Sequence, residues 1–256
     1  MALWPTYDIL GKHIKINLHS KSWRYGPQYY KSAGDLHDRV GTINISPGWF
    51  EQAHEVSSIC PGSLSPANHS WLTIKRPVDK IAPSAELKST SDGQVFAWLK
   101  QTMWIGALSG GILGLLHPQQ YAIGRAAMLE MLYQPDMISN MDDTQRALTV
   151  WASPFTALSL VMNRQTPVHR DAHGRHPWMD LLLTHGSYNR CCMELRSLGI
   201  RLAYESGTAV AICGKVVPHA VSDCDGERAC LAYYMRDSVH NRLSIPAGSW
   251  MNVMEL

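Results

Sequence analysis

Residues Thr166 to Gly186 read TPVHRDAHGRHPWMDLLLTHG, and whether this stretch is helix or strand decides what the chain can build around it. On a helix, His169 and His173 are four residues apart and share one face, the spacing of a helical zinc pair. Gly174 and Pro177 speak against a helix there. In an extended chain, side chains two apart project to the same side, so His169 and Asp171 can reach one ion while Arg170 points elsewhere. HxD is then two thirds of a metal site.

The surroundings favour the extended form. After Ala147 the runs TVWASPFTALSLVM, MDLLLTHG, GIRLAYE, TAVAICG, KVVPHAV and RACLAYYMR are short and separated by Gly, Ser, Asp or Asn turns. Six or more such strands suggest a sandwich or barrel rather than a βαβ sheet. Upstream, SDGQVFAWLKQTMW spaces Val95, Phe96, Leu99 and Met103 along one helical face behind a Ser or Asp cap. A second helix is expected from Pro118 to about Tyr133, with Ala122, Ala126, Leu129 and Tyr133 at helical spacing. IGALSGGILGLL, Ile105 to Leu116, has four glycines and is too short for a membrane crossing, so it reads as core or a tight turn. The expected division is an irregular wrapping segment over 1–90, a helical scaffold over 91–149 and a β core over 150–256, packed as one compact domain.

A third metal ligand is available in KVVPHAVSDCDGERACLAYYMR, where His219 opens a turn. Two imidazoles and one carboxylate leave three positions open, which suits non-haem Fe(II) that binds a cosubstrate and O2 together; structural zinc is usually closed by a fourth ligand. Arg228 stands nine residues beyond His219, and its planar guanidinium suits capture of a carboxylate such as the far end of 2-oxoglutarate. If Arg228 faces the pocket, strand parity turns Cys230, Ala232, Tyr234 and Arg236 the same way and Ala229, Leu231 and Tyr233 outward.

The sequence has 256 residues, 45% apolar and 17% charged, enough for a sizeable core. Six cysteines without a CxxC pair read as reduced, mostly buried thiols. The net charge of +2 says little; its distribution says more. Lys12, Lys15, Lys21, Arg24 and Lys31 interleave with Trp23, Tyr25, Tyr29 and Tyr30 without an acid, a mixture suited to phosphates and stacked bases and equally to a solvated basic segment. Between residues 164 and 201, six arginines face three acids. No GxGxxG or P-loop, no secretory signal and no membrane span are visible, so an intracellular protein is expected.

Taken in order, TPVHRD, PWMDLLLTHG, GIRLAYESGTAVAICGKVVPHAV and GERACLAYYMR resemble the TET/JBP branch of Fe(II)- and 2-oxoglutarate-dependent dioxygenases, in particular the forms abundant in fungal genomes. The likeness is strong over about residues 150–243 and looser over 91–149. It implies an α+β chain whose core is a double-stranded β-helix, or jelly roll, with N-terminal helices packed on it. It implies Fe(II) and 2-oxoglutarate as cofactors, O2, and DNA carrying a methylated base as substrate, hence a nuclear location and no membrane. Residue by residue, it makes His169, Asp171 and His219 the iron ligands and Arg228 the cosubstrate salt bridge. Arg164, five residues before the first ligand, would touch the cosubstrate and a flipped base, and Tyr234 would stack on that base; Arg236 and Asn163 complete the expected substrate contacts. Family members read the cytosine amino group with an acid five positions beyond the first histidine, where this chain has Gly174.

Oxidation of 5-methylcytosine is the leading expectation and N6-methyladenine demethylation the next. A catalytically impaired DNA-binding module and a cupin-like oxygenase of small molecules are the alternatives of other classes. His173, His176 and His185 read as turn or surface histidines, and Asp180 as structural.

Overall fold

The computed structural model describes residues 41–50, 80–91 and 93–251. The basic, aromatic stretch around Lys12 to Lys31, the segment HIKINL and Cys60 lie outside them. Strands β1 (Gly41–Ile45), β2 (Trp49–Phe50) and β3 (Ile81–Ala82) precede helices α1 (Gln94–Gln101), α2 (Met103–Leu116), α3 (Pro118–Tyr133) and α4 (Met141–Leu148). Eight strands follow: β4 (Ala157–Met162), β5 (Thr166–His169), β6 (Asp180–Asn189), β7 (Cys192–Leu195), β8 (Ile200–Ala203), β9 (Ala209–Ile212), β10 (His219–Val221) and β11 (Asp225–Tyr234). Helix α5 (Asp237–Arg242) comes last.

One sheet has the order β1-β4-β11-β6-β9 and the other β5-β10-β7-β8, with every pairing in these two sheets antiparallel. From β4 to β11 the chain passes back and forth between the sheets and returns β11 beside β4. That winding is a double-stranded β-helix, which removes most exposed strand edges. Strand β1 lengthens the larger sheet, its Asn44 paired with Ser159 of β4.

The larger sheet has two different faces. Leu158, Leu160 and Met162 of β4, Leu181 of β6, and Ala229, Leu231 and Tyr233 of β11 pack with Trp98, Ile105, Leu113 and Met131 of the helices. Their alternates Val161, Leu182 and Cys230 turn toward Met193, Leu195 and Val221 of the smaller sheet. The parity expected for β11 is therefore the one observed. Inner-face residues are mixed in polarity because one end of the space between the sheets holds the chemistry described below.

The helices depart from their sequence patterns. α1 ends at Gln101 with Trp98 buried in place of Met103, which is exposed and starts α2. The glycine-rich stretch read as core or turn is this fourteen-residue α2. Its Gly106 and Gly110 lie where a Cβ would meet Ser153 and Pro154 at 3.3 and 3.0 Å, so small residues let it ride close over the segment entering β4. α3 has the expected bounds but the opposite buried face: Leu129 is 45% and Tyr133 75% exposed, while Gln120, Gly124, Ala127, Met128 and Met131 point inward. Apolar residues surround α3 on all sides, so periodicity could not choose its face. Close approach to the carbonyl of Pro154 at Gly124 does. No helix of the described residues is long and apolar enough to cross a membrane.

Candidate metal centre

His169 ends β5 and His219 opens β10, paired directly across the ladder with ring centroids 4.2 Å apart. Each Nδ1 lies on the carbonyl two residues earlier, Pro167 at 2.9 Å and Val217 at 3.0 Å. Nδ1–H donation to those carbonyls leaves both Nε2 lone pairs facing inward, the usual outer support of a ligating imidazole. Burial pushes the His219 imidazole below its ordinary range, which keeps it in the neutral, ligating form. Asp171 lies past the end of β5, so a turn rather than the strand pleat brings it in. Its N–H donates to the Gly214 carbonyl at 3.0 Å, and its Oδ1 and Oδ2 each stand 3.6 Å from one Nε2, of His169 and His219 respectively.

The ligand atoms of these three residues all lie within 4.8 Å of one another. Donors about 2.1 Å from a common ion, at angles of about 90–120°, stand about 3.0–3.6 Å apart. The set therefore fits one divalent ion held on one side, with the other side open for further ligands.

Asp180, the first residue of β6, is buried, and its carboxyl is hydrogen-bonded to Asp171. Burial first, then the Asp171 charge, push it well above the carboxylate range. The sequence shows an aspartate at the head of a strand but not its partner, which lies just past the end of a strand of the other sheet.

Arg228 is 2% exposed. Its Nη2 donates to the Arg164 carbonyl at 2.7 Å, whereas Nε and Nη1 are buried with no hydrogen-bond partner among the described residues. Its centre lies 5.8 Å from the Tyr204 ring. Around it, burial holds the Tyr204 and Tyr188 hydroxyls neutral, Tyr188 pushed up to about 12. A buried guanidinium with two such donors and no acid paired with it among the described residues is the complement of a carboxylate. Asn163, expected on the substrate, is instead buried against this strand: its Oδ1 accepts from the Arg228 N–H at 2.7 Å and its own N–H donates to the Arg228 carbonyl.

At the end of β11 and just past it, Tyr234 and Arg236 are half-buried and hydrogen-bonded to each other, and the Arg236 N–H donates to Thr156 Oγ1 at 3.0 Å. Ser159 Oγ lies 3.4 Å from the Tyr234 hydroxyl and donates to Asn44 Oδ1 at 2.6 Å. Sequence reading passed over Asn44 and Ser159, since 115 residues separate them and neither sits in a motif. The arginines counted between 164 and 201 are partly neutralised by acids from elsewhere in the chain. Arg190 pairs with Asp225, and Arg175 pairs with Asp237 while lying 4.8 Å over the Trp178 ring. Arg170 and Lys215 donate to the Val216 and Ala172 carbonyls at 3.1 and 2.6 Å, tying the two loops beside the metal residues together.

The family model Tet_JBP, described as the oxygenase domain of the 2OGFeDO superfamily, matches residues 80–237. The chain belongs to this family. As a Tet_JBP oxygenase domain it carries the family's Fe(II)- and 2-oxoglutarate-binding fold, and its His-Asp-His group fits an iron ion. The match takes in β3 to β11, and β1 and β2 lie outside it. Among solved structures, a chain described as NgTET1 in complex with 5mC DNA is similar at 13% identity with a TM-score of 0.45, over 62% of this chain and 57% of that one. The present chain thus spans less than two thirds of that chain's length. No curated protein matches.

Proposed function

We propose that this chain is a 2-oxoglutarate-dependent dioxygenase that oxidises the methyl group of 5-methylcytosine in DNA, acting on a base flipped out of the duplex, and that it works in the nucleus. The observation that carries this reading is the convergence of His169, Asp171 and His219, in a chain whose Arg228 buries two unsatisfied donors. His169 Nε2, a carboxylate oxygen of Asp171 and His219 Nε2 would hold Fe(II), which with 2-oxoglutarate and O2 supplies the oxidising power. Arg228 would take the distal carboxylate of 2-oxoglutarate through its guanidinium, whose Nε and Nη1 have no partner among the described residues. Arg164, whose carbonyl already accepts from Arg228, would support the same ligand.

A methyl group inside a duplex cannot reach a centre built between two sheets, so the nucleotide must leave the stack. Tyr234 would stack on the base, with Arg236 and the Ser159–Asn44 pair within reach of its polar edge. Unstacking costs about a few kcal/mol, which one aromatic and one cationic partner can offset. N6-methyladenine is the second reading, favoured by one observation: Gly174 leaves no acid where family members meet the cytosine amino group.

The test loads the protein anaerobically with Fe(II) and 2-oxoglutarate, admits air, and analyses nucleosides from duplexes carrying either base by mass spectrometry. 5-Hydroxymethylcytosine is the expected product. Formaldehyde with unmodified adenine would move the assignment to the second base. Succinate without a changed base would overturn the reading in favour of an impaired DNA-binding module.

A further inference from the structure

Tyr204, the residue after β8 of the smaller sheet, lies beside Arg228 of β11 in the larger one, the centre of the guanidinium 5.8 Å from its ring. Both side chains are buried, Tyr204 completely. The backbone of Tyr204 is held on both sides: its N–H donates to the Cys191 carbonyl at 2.9 Å, and its carbonyl accepts from the Tyr188 hydroxyl at 2.9 Å. The Tyr188 proton is thereby used. The Tyr204 hydroxyl, by contrast, meets only the Cys230 thiol among the described residues, with 3.4 Å between oxygen and sulfur, and sulfur is a weak acceptor. A phenylalanine ring would fill the same space without withdrawing a hydroxyl from water, which is unfavourable unless a good partner replaces the water.

Cys230 is the next residue after Arg228 on the same face of β11, so a hydroxyl that touches its sulfur stands close to the guanidinium. Arg228 Nε and Nη1 have no hydrogen-bond partner among the described residues. Two guanidinium donors and one phenol donor thus share a buried place where none has a strong acceptor. A carboxylate offers about four lone-pair sites on two oxygens, more than a guanidinium fills alone. We infer that Tyr204 is a further cosubstrate-binding residue: its hydroxyl turns from the Cys230 thiol to donate to the carboxylate of 2-oxoglutarate that Arg228 holds. The inference rests on the 2-oxoglutarate reading of Arg228 and adds to it a donor from beside the opposite sheet. That second donor favours a diacid that reaches both groups over a shorter one that only chelates the metal.

The experiment titrates 2-oxoglutarate, and separately oxalate, into the Mn(II)-loaded full chain by calorimetry, for wild type, Tyr204→Phe and Cys230→Ala. Oxalate has no distal carboxylate, so it reports the metal end alone. Tyr204→Phe should bind 2-oxoglutarate about tenfold or more weakly, the usual size for a hydrogen bond to a charged group. It should bind oxalate as wild type does and, without cosubstrate, melt no lower. Cys230→Ala, which removes only the stand-in acceptor, should keep at least wild-type affinity for 2-oxoglutarate. Unchanged 2-oxoglutarate affinity in Tyr204→Phe overturns the inference, and so does an equal loss for both ligands, which would mean a disturbed site. A Tyr204→Phe chain that melts lower or fails to fold also overturns it, because the hydroxyl would then be holding the core. A tenfold loss in Cys230→Ala would give the contact to the thiol instead. Wild type that binds oxalate but not 2-oxoglutarate would remove the reading of Arg228 beneath the inference, and wild type that binds neither would remove the metal site.

Discussion

His219 faces His169 across the β5–β10 ladder with 4.2 Å between ring centroids, and each ring is tied by Nδ1 to a carbonyl two residues before it. An imidazole pair fixed in this way, with a carboxylate 3.6 Å from each Nε2, spends little conformational entropy on meeting an ion. Binding to the folded chain alone raises its stability by about 2.7 kcal/mol at a free ion concentration of 100 times Kd. The melting temperature should therefore rise with Mn(II) or anaerobic Fe(II) and fall back with chelator. In His219→Ala the rise should vanish. A rise of equal size in that variant would place the ion elsewhere.

Arg228 makes a separable prediction, because its buried charge forms no ion pair with an acid among the described residues. Leaving a guanidinium unpaired in an apolar interior is unfavourable, and replacing it with an apolar side chain of similar length is often neutral or stabilising. Arg228→Met should melt no lower than wild type in the absence of 2-oxoglutarate, while losing the thermal shift that 2-oxoglutarate produces. Arg228→Lys should keep the charge but lose the two-pronged contact, raising KM for 2-oxoglutarate at least tenfold. A variant that melts far lower yet keeps its shift would mean the guanidinium is there for the fold.

Much of this was legible in the strands and little of it in the helices. Alternation in RACLAYYMR assigned each residue of β11 to its face because one side meets the helices and the other the smaller sheet. The strand CMEL is not marked in the sequence, because it holds no branched or aromatic residue of the kind that marks the other strands. In α2, four glycines among unbroken apolar residues carry no helical period, so the helix was invisible although its residues were plainly core. HxD was legible because its two residues are neighbours. Asp180, Gly214, Asn44 and Ser159 were not, because each owes its place to a contact between strands distant in sequence, and no local pattern records which strands meet.

Gly174 offers a gain-of-function test of base choice. No atom lies within 4 Å of where its Cβ would be, and its backbone does not require glycine. Gly174→Asp should fold normally and place an acceptor where family members carry one. A new hydrogen bond to a base edge is worth about 1–3 kcal/mol of discrimination. The ratio of oxidised 5-methylcytosine to demethylated N6-methyladenine in a mixed duplex should rise about tenfold or more. An unchanged ratio would mean the base edge is read from the Tyr234 side instead.

Two helix glycines should respond to alanine with opposite signs. Gly111 on α2 is exposed with open space around it, so Gly111→Ala should stabilise by about 0.5–1 kcal/mol through backbone entropy. Gly124 on α3 faces the Pro154 carbonyl and stands 2.6 Å from Met235 Cε at its Cβ position. Gly124→Ala should destabilise by about 1–3 kcal/mol, or more if the backbone cannot shift. Urea unfolding of both variants checks the pair, and equal effects would contradict the packing of α3 described above.

His240 gives the fold a pH dependence whose sign is fixed by its surroundings. The ring is fully buried, its centroid 4.6 Å from that of Trp178, with Nδ1 on the Arg236 carbonyl at 3.0 Å and Nε2 without a partner among the described residues. Burial, with a smaller contribution from the Arg175 charge, pushes its pKa down from 6.5 to about 4. Above pH 6.5 the imidazole is neutral folded or unfolded and takes nothing from stability. Between 6.5 and about 4 the unfolded chain binds a proton that the folded one refuses, so stability falls by up to about 1.4 kcal/mol per pH unit, about 3 kcal/mol across the window. His240→Phe keeps a ring against Trp178 and does not titrate. Urea midpoints taken from pH 7 to pH 4.5 should therefore fall faster for wild type than for His240→Phe, and parallel curves would show that the histidine is already solvated or charged in the folded chain.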